Sequence, residues 1–220
     1  MINRLILFIG LVFMCQCSDK EVLLPVIDEG GISEIENHSS IWIFYDPEGQ
    51  DSKASLNKNN KLINTNWIFN IDRRLAMKDV IPLLQVMQAD RNKDSMHKKE
   101  GMNNYFSYAD SKNKRISLVE FPEISFAAMD DNSASNKIEI DSSACLVMLR
   151  VYEDNLQVDG KTYELEDIGE ISNRDNACEE GRTEVFRLKY DEVLSFQSYL
   201  KTKVYLAAAQ VTVDTTELVE

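Results

Sequence analysis

A polar segment near the middle of the chain constrains the fold more than any other feature of the sequence. Residues 129–137 read Met-Asp-Asp-Asn-Ser-Ala-Ser-Asn-Lys, a run of small and turn-forming residues that is typical of a linker. Apolar and β-branched segments lie on both sides of it. We therefore expect two small units, residues 38–128 and 138–214, followed by a short acidic tail at residues 215–220.

The N-terminal unit has the pattern of a sheet with one packed helix. Four runs rich in aromatic and β-branched residues predict strands. These runs are residues 41–45, 67–72, 105–109 and 115–121. Residues 46–61 are polar and rich in turn formers, which predicts a loop. Asp79 is a candidate N-cap that would place Pro82 in the first turn of a helix.

The C-terminal unit shows a similar order of elements. Asp159-Gly160 between two short runs is a strong hairpin signal, because such a turn needs positive φ. Ser195 is a candidate N-cap for an amphipathic helix that reaches about residue 210. Strands are predicted at residues 145–152, 156–158, 162–165, 185–190 and 211–213. The whole chain is therefore predicted to be α+β, with two small units of mixed sheet and packed helices.

The order strand, Asp-Gly hairpin, short helix, strand, Asp-containing turn, helix and final strand covers residues 138–214. Its main segments are Leu149–Asp154, Leu156–Lys161, Val185–Asp191 and Phe196–Leu200. This arrangement resembles the periplasmic domain of the ExbD/TolR family of biopolymer-transport proteins. Family members carry a transmembrane helix with an aspartate used in proton-driven energy transduction, and the sequence shows no such segment. The resemblance therefore implies an accessory or envelope-binding role. The N-terminal unit has a fainter version of this order, which leaves a duplication open.

The N-terminus resembles the signal peptide of a bacterial lipoprotein. Met1–Arg4 is basic, and the apolar run Leu5–Met14 is too short to span a membrane, which takes about 20 residues. Charged sequence begins directly after Cys17. The resemblance implies that residues 1–16 are removed and that Cys17 carries the lipid anchor, with palmitate-type acyl chains. Residues 17–37 are then expected to form a lipidated tether. A secreted or uncleaved N-terminus is the alternative.

The acidic composition limits the classes of partner. The formal net charge is −13, and removal of residues 1–16 takes away only Arg4, which makes it −14. Such a chain is unsuited to binding nucleic acid or to adhering electrostatically to an anionic membrane. The lipid would supply the membrane attachment. We expect the partner to be another protein or an envelope polymer.

Two cysteines remain after removal of the signal peptide and lipidation of Cys17. Cys145 and Cys178 either form a disulfide, as exported proteins often do, or stay apart. In the second case Cys145 is a core residue and Cys178 a free loop thiol. The spacing leaves both open, because a disulfide needs the two Cα atoms within about 7 Å.

No motif in the sequence predicts a catalytic, metal or cofactor site. His38 and His97 stand in polar segments, and no Gly-x-Ser-x-Gly, Cys-x-x-Cys or His-Glu-x-x-His pattern is present. The acids Asp28, Glu29, Glu34 and Glu36 are expected to be solvated. Arg73-Arg74 either binds an acidic partner or pairs with neighbouring acids. The aromatic residues Trp42, Trp67, Tyr105 and Tyr108 either line a groove or fill the core.

We therefore expect a non-enzymatic, lipid-anchored cell-envelope protein with a binding or accessory role, linked to an envelope energy-transduction or transport system. It would face the periplasm or the outer surface. The alternative is a secreted or envelope-anchored hydrolase with an unrecognised carboxylate site, for which Glu164, Glu166 and Asp167 are examples of grouped acids. An exposed strand edge would favour binding by strand addition, whereas a deep cleft with two acids would favour the hydrolase.

Overall fold

Two six-stranded β-sheets and two α-helices form the fold in a computed structural model that describes residues 21–93, 101–128, 144–173, 178 and 182–220. The first sheet contains β1 (Val26–Ile27), β2 (His38–Tyr45), β3 (Ala54–Asn57), β4 (Asn66–Ile71), β5 (Asn104–Asp110) and β6 (Arg115–Phe121). The second contains β7 (Ser125–Ala128), β8 (Ala144–Val151), β9 (Asn155–Val158), β10 (Lys161–Glu164), β11 (Thr183–Tyr190) and β12 (Thr216–Val219). The helices are α1 (Met77–Asn92) and α2 (Phe196–Ala208), and a 3₁₀ helix spans Leu165–Asn173. The predicted α+β class is confirmed.

The first sheet is mixed, with a parallel centre. β2, β4 and β5 run parallel, and α1 connects β4 to β5. β3 pairs antiparallel with β2, and β6 pairs antiparallel with β5. The buried face of α1 carries Met77, Val80, Leu84 and Met87, which recur three and four apart as an amphipathic helix requires.

The second sheet has the order β10-β9-β8-β11-β12-β7, and its last four strands run parallel. The predicted hairpin joins β9 to β10, with φ of 51° at Asp159 and 79° at Gly160. The predicted N-cap of α2 is also confirmed, since the Ser195 hydroxyl accepts a hydrogen bond from the Ser198 N–H. The helix ends at Ala208, shortly before the expected residue 210.

One hydrophobic core serves both sheets. Phe106 of β5 stacks on Phe121 with ring centroids 3.7 Å apart, and it also contacts Phe196 and Tyr199 of α2 at 5.6 and 6.4 Å. Tyr199 in turn packs edge-on against Tyr190 of β11. Because α2 lies against both sheets, the two predicted units are packed together rather than joined only by a linker.

The two α-helices start side by side and exchange main-chain hydrogen bonds. The Met77 N–H donates to Leu194 O at 2.9 Å, and the Phe196 N–H donates to Leu75 O at 2.7 Å. The same order of elements precedes each helix. It consists of a strand, an aspartate, a two-residue turn, a buried leucine and a residue that forms an isolated β-bridge with its counterpart. The two halves of the chain therefore meet through equivalent segments in a reciprocal contact.

This contact corrects the predicted start of α1. The first N–H groups of a helix lack partners within it, and here those of Met77 and Lys78 donate to Leu194 O and Glu192 O in the other half. The helix therefore begins at Met77, and Pro82 lies inside it. Asp79 is not the N-cap. Its carboxylate accepts hydrogen bonds from the Ser52 hydroxyl and the Lys53 N–H.

Several segments differ from the sequence-based expectations because their pairing partners are distant in the chain. From Leu23 onward, the predicted tether runs along the folded body, and Val26–Ile27 forms β1. β3 lies within the predicted loop, and β12 lies within the predicted tail. β7 ends the predicted N-terminal unit but pairs in the second sheet.

The predicted linker at residues 129–137 lies outside the described residues. No helix in the part of the chain that the structure describes is long and apolar enough to cross a membrane.

Candidate functional site

β7 is an edge strand with one unpaired side. Its four residues pair in parallel with Thr216–Val219 of β12, and the Ser125 N–H donates to Thr215 O at 2.8 Å. Main-chain groups alternate between the two sides of a strand, so the N–H and C=O of Phe126 and Ala128 point away from β12. None of the described residues pairs with that side. Such an edge is a template for another strand.

Helix α1 forms a wall beside this edge and creates a groove, here called the edge groove. The groove consists of two adjoining cavities of about 540 and 400 Å³, which share Gln85 and Phe126. Its other lining residues are Lys78, Ile81, Pro82, Gln88, Ala89, Glu123, Ile124, Ser125, Ala127, Ala128, Glu192, Thr215, Val219 and Glu220. A groove between a helix and an edge strand has the shape needed for an added extended segment.

Gln88 positions the chain that enters β7. Its side-chain Nε2 donates to Ile124 O at 2.9 Å, and its Oε1 accepts from the Ile124 N–H at 2.8 Å. Gln197 of α2 makes the same pair of bonds to the main chain of Val26, at 2.9 Å each. Thus α1 holds the chain next to β7 of the second sheet, and α2 holds β1 of the first sheet. The bonds of Gln88 also keep α1 and β7 at a defined separation.

A buried carboxylate holds β12, the strand on which β7 lies. Glu217 is fully buried and accepts hydrogen bonds from Tyr190 at 2.7 Å, Tyr199 at 3.2 Å and the Lys203 ammonium at 2.9 Å. Burial and the Glu217 charge raise the pKa values of Tyr190 and Tyr199 well above their usual range. Both hydroxyls therefore stay protonated and remain donors to Glu217 at neutral pH.

The charged groups around the edge groove are mainly acidic. Among the described residues that line it, Lys78 is the cation and Glu123, Glu192 and Glu220 are the acids. Glu220 binds Arg150 and Lys189 at 2.5 and 2.7 Å, and Glu123 accepts from Asn92 at 2.8 Å. Glu192 remains exposed at the end of the groove near Lys78. A neutral or basic segment suits this lining better than an acidic one.

The corresponding edge strand of the first sheet is β6, and Ile32 of the same chain contacts its outer side. The Ile32 N–H donates to Leu118 O at 3.0 Å, and the Leu118 N–H donates to Ile32 O at 2.8 Å. This antiparallel contact lies on the side of β6 that faces away from β5. A β-carbon at the preceding Gly31 would lie 2.3 Å from the Tyr108 hydroxyl, so only glycine lets the segment approach this closely. The protein thus already contains one example of an extended segment added to a sheet edge.

The two candidate disulfide cysteines are bonded in the structure. Cys145 in β8 and Cys178 have Cα atoms 5.8 Å apart and close a loop of 33 residues. Cys17, the candidate lipidation site, lies outside the described residues, as does His97. His38 is exposed, with Nδ1 3.1 Å from Ile35 O, which is the position of an ordinary surface histidine.

The remaining candidates of the sequence analysis lie apart from one another. Trp67 and Tyr108 lie in the core shared by the two sheets, and Tyr105 is buried in a separate small cluster with Ile68 and Leu118. Trp42 lies partly exposed on the outer face of β2, stacked on Phe44. Arg74 binds Asp72, as the pairing alternative predicts. Glu166 binds Lys201 at 2.6 Å. Among the described residues, no group of three His, Cys, Asp or Glu side chains is placed to hold a metal ion.

The edge groove itself escaped the sequence analysis. β7 reads Ser-Phe-Ala-Ala, which is too short and too weakly β-branched to stand out as a strand. Pro122, just before it, was the nearest signal of a new element. Comparison of the chain with protein-family models, with curated proteins and with solved structures found no match.

Proposed function

We propose that this protein is a lipid-anchored envelope protein that binds an extended segment of a partner protein along β7. The observation that carries the proposal is the side of β7 with which no described residue pairs, next to a helix-walled groove. In strand addition, main-chain hydrogen bonds provide affinity and adjoining pockets select alternate side chains. Phe126 and Ala128 supply the main-chain groups, and the two cavities supply the pockets.

Three further features support binding rather than hydrolysis. The exposed amide of Gln85 lies where the two cavities join and can select a polar side chain of the bound segment. The isolated bridge between Ile32 and Leu118 supports the proposal, because it places a residue of the chain on the outer side of the corresponding edge of the first sheet. The grouped acids Glu164, Glu166 and Asp167 are exposed, and Glu166 is held by Lys201.

The lipid anchor and the ExbD/TolR-like arrangement belong to the same proposal. The order of elements from β8 through α2 to β12 supports that resemblance, with the Asp-Gly hairpin and the aspartate-containing turn in the expected places. An anchored body with a free strand edge would serve as an accessory to an envelope transport or energy-transduction system by capturing an extended segment of one of its components.

Selection from a phage-displayed library of random 12-residue peptides tests the binding function. The peptides that bind the purified protein are measured by calorimetry against two variants. Ala128→Pro removes an outward N–H from the edge, whereas Ala128→Val adds a similar bulk and keeps that N–H. We expect binding at least tenfold weaker for Ala128→Pro and within about threefold of the unmodified protein for Ala128→Val, with β7 amide signals shifted on binding.

The same experiment has outcomes that would contradict the proposal. Unchanged affinity of Ala128→Pro, with its thermal midpoint retained, would show that peptides bind elsewhere. Failure to select any peptide above the level found for an unrelated acidic protein would remove the peptide-binding function. Enrichment of acidic peptides would contradict the inference that the acidic lining of the edge groove favours a neutral or basic segment.

A further inference from the structure

The segment Leu23–Ile27, here called the strap, is bound along its whole length to the folded body. The Leu23 N–H donates to Asp72 Oδ2 at 3.1 Å, and the Arg73 N–H donates to Leu23 O at 2.8 Å. Val26 makes two bonds to the Gln197 side chain. The Ala109 and Ser111 N–H groups donate to Pro25 O and Ile27 O at 2.8 and 3.0 Å. The strap is therefore part of the fold and contributes no free length.

The carboxylate of Asp72 is one of the groups that hold the start of the strap. Burial opposes its ionisation, but hydrogen bonds from the Arg74 side chain, the Arg74 N–H and the Leu23 N–H outweigh this effect, and the pKa of Asp72 is lowered. Arg74 binds this carboxylate through Nε and Nη2 at 2.8 and 2.7 Å. Leu23, where the chain from Cys17 joins the folded body, is thereby bonded to the turn that follows β4.

The strap limits how far a lipid on Cys17 could stand from the body. Leu23 is six residues after Cys17, and an extended chain spans at most about 3.6 Å per residue, so the reach is at most about 22 Å. A free tether over residues 17–37 would reach more than about 70 Å by the same measure. We infer that the turn Asp72–Leu75 faces the bilayer closely, with the Arg73 guanidinium on phospholipid phosphates. This inference rests on the proposed lipid anchor.

The charges of this turn suit that position. Arg74 is occupied by Asp72 and lies over the Tyr45 ring at 4.6 Å. The Arg73 side chain makes no hydrogen bond or ion pair within the part of the chain that the structure describes. The equivalent turn in the other half, where the Glu192 N–H donates to Glu220 O, carries Glu192 and Val193 instead. Of these two equivalent turns, the one next to the strap bears two arginines, although the chain as a whole has a net charge of −13.

Arginine is suited to the proposed contact. Its planar guanidinium can bind a phosphate through two parallel hydrogen bonds, and it is less strongly hydrated than an ammonium group. The nearby negative charges include Asp72, which Arg74 neutralises, and Glu21, which lies close enough to interact with Arg74. Glu192 of the adjoining turn lies near Lys78. The turn is therefore close to neutral overall and avoids the repulsion that the rest of the body would experience at an anionic surface.

Paramagnetic broadening of amide signals tests the orientation. The native lipoprotein is placed in nanodiscs that contain phosphatidylglycerol and a small fraction of a lipid with a gadolinium-labelled headgroup. We expect the amides of residues 23–27, Arg73 and Arg74 to be broadened at least threefold more than those of Lys58 and Lys61. These two lysines lie at Asp90, near the far end of α1, about 20 Å along the helix from Met77. Equal broadening, or stronger broadening at Lys58 and Lys61, would overturn the inference.

Two charge-matched variants test the role of the arginine. Arg73→Glu is expected to reduce the broadening at the strap at least twofold. Lys161→Glu, in β10 at the other edge of the second sheet, is expected to leave it unchanged. Equal effects of the two variants would show that only net charge matters and would remove the arginine–phosphate contact. An unfolded Arg73→Glu variant would also contradict the inference, because it would give this side chain a role in the fold.

The failure of the anchor is distinguishable from the failure of the orientation. The mass of the same lipoprotein sample shows whether Cys17 carries acyl chains. If it does not, the proposed anchor fails. A maleimide-linked lipid placed on Cys17 of the chain without residues 1–16, in which Cys145 and Cys178 are bonded to each other, then tests the strap geometry alone.

Discussion

Replacement of the buried Glu217 tests how the second sheet, and with it the edge groove, is held together. Its carboxylate binds the Lys203 ammonium at 2.9 Å and the hydroxyls of Tyr190 and Tyr199 at 2.7 and 3.2 Å. Removal of one partner of a buried ion pair costs about 3–5 kcal/mol, and a buried hydroxyl left without an acceptor costs about 1–3 kcal/mol. Because the long Lys203 side chain can turn toward water, these costs overlap. We expect Glu217→Leu to lower the free energy of unfolding by about 4 kcal/mol.

A double-mutant cycle separates the ion pair from the two hydroxyl bonds. Lys203→Met leaves both tyrosines bonded to Glu217 but leaves its buried charge without a cation, so we expect a loss of about 3–5 kcal/mol. In the double variant no unpaired charge remains, and the loss should fall short of the sum of the single losses by about 2 kcal/mol. Urea unfolding followed by far-UV circular dichroism measures all three variants at the same pH, with equal slopes as the check that only stability has changed.

Hydrogen exchange and tyrosine absorbance connect this stability to the site. In Glu217→Gln, which keeps the acceptor but removes the charge, the pKa values of Tyr190 and Tyr199 should fall toward their usual range, seen by absorbance at 295 nm. The Ala127 amide, which points toward β12, should lose protection in Glu217→Leu before the amides of the first sheet. A loss below about 1 kcal/mol for Glu217→Leu, or strictly additive single losses, would refute this account of how β12 is held.

Three further changes act on Gly31, the disulfide and Asp72. Gly31→Ala should cost about 1–3 kcal/mol, since its β-carbon would lie 2.3 Å from the Tyr108 hydroxyl, whereas Gly30→Ala meets only the Asn113 side chain and should cost less. Cys178→Ser opens the 33-residue loop and should cost about 3–4 kcal/mol in urea unfolding, a loss that reductant should reproduce in the unmodified protein. The pKa of Asp72 is lowered, so its stabilisation is present above its ordinary value of 3.8 and lost as the pH falls below it. The stability difference between the unmodified protein and Asp72→Asn should therefore shrink on acidification below about pH 4, and growth of that difference would contradict the assignment.

Local signals in the sequence predicted the elements that are stabilised locally. The Asp159-Gly160 turn carries its own requirement for positive φ, and Ser195 caps α2 with its own hydroxyl. The start of α1 could not be predicted, because the groups that satisfy its first N–H groups are the carbonyls of Glu192 and Leu194 in the other half. A single-sequence pattern contains no record of a partner more than a hundred residues away.

The edge groove and the strap were missed for the same reason. Ser125–Ala128 becomes a strand only because β12 pairs with it, and Gln88 then holds the residue before it. The strap looked like part of a tether because acidic residues flank it on both sides, and because Pro25 lies in it and two glycines follow close behind. Its two-residue strand depends on the end of β5, which lies 83 residues later.

The bonds between Val26 and Gln197 also constrain when the strap can take its native position during folding. These residues are separated by 171 positions, so the strap is among the first segments to leave the ribosome and among the last to find its place. Closure over so long a stretch adds little to the equilibrium cost, since each doubling of a loop adds only about 0.6 kcal/mol. It does slow folding, as contacts between remote segments generally do. A nascent chain must therefore keep the exposed apolar residues of the strap shielded until nearly all of its sequence has been synthesised.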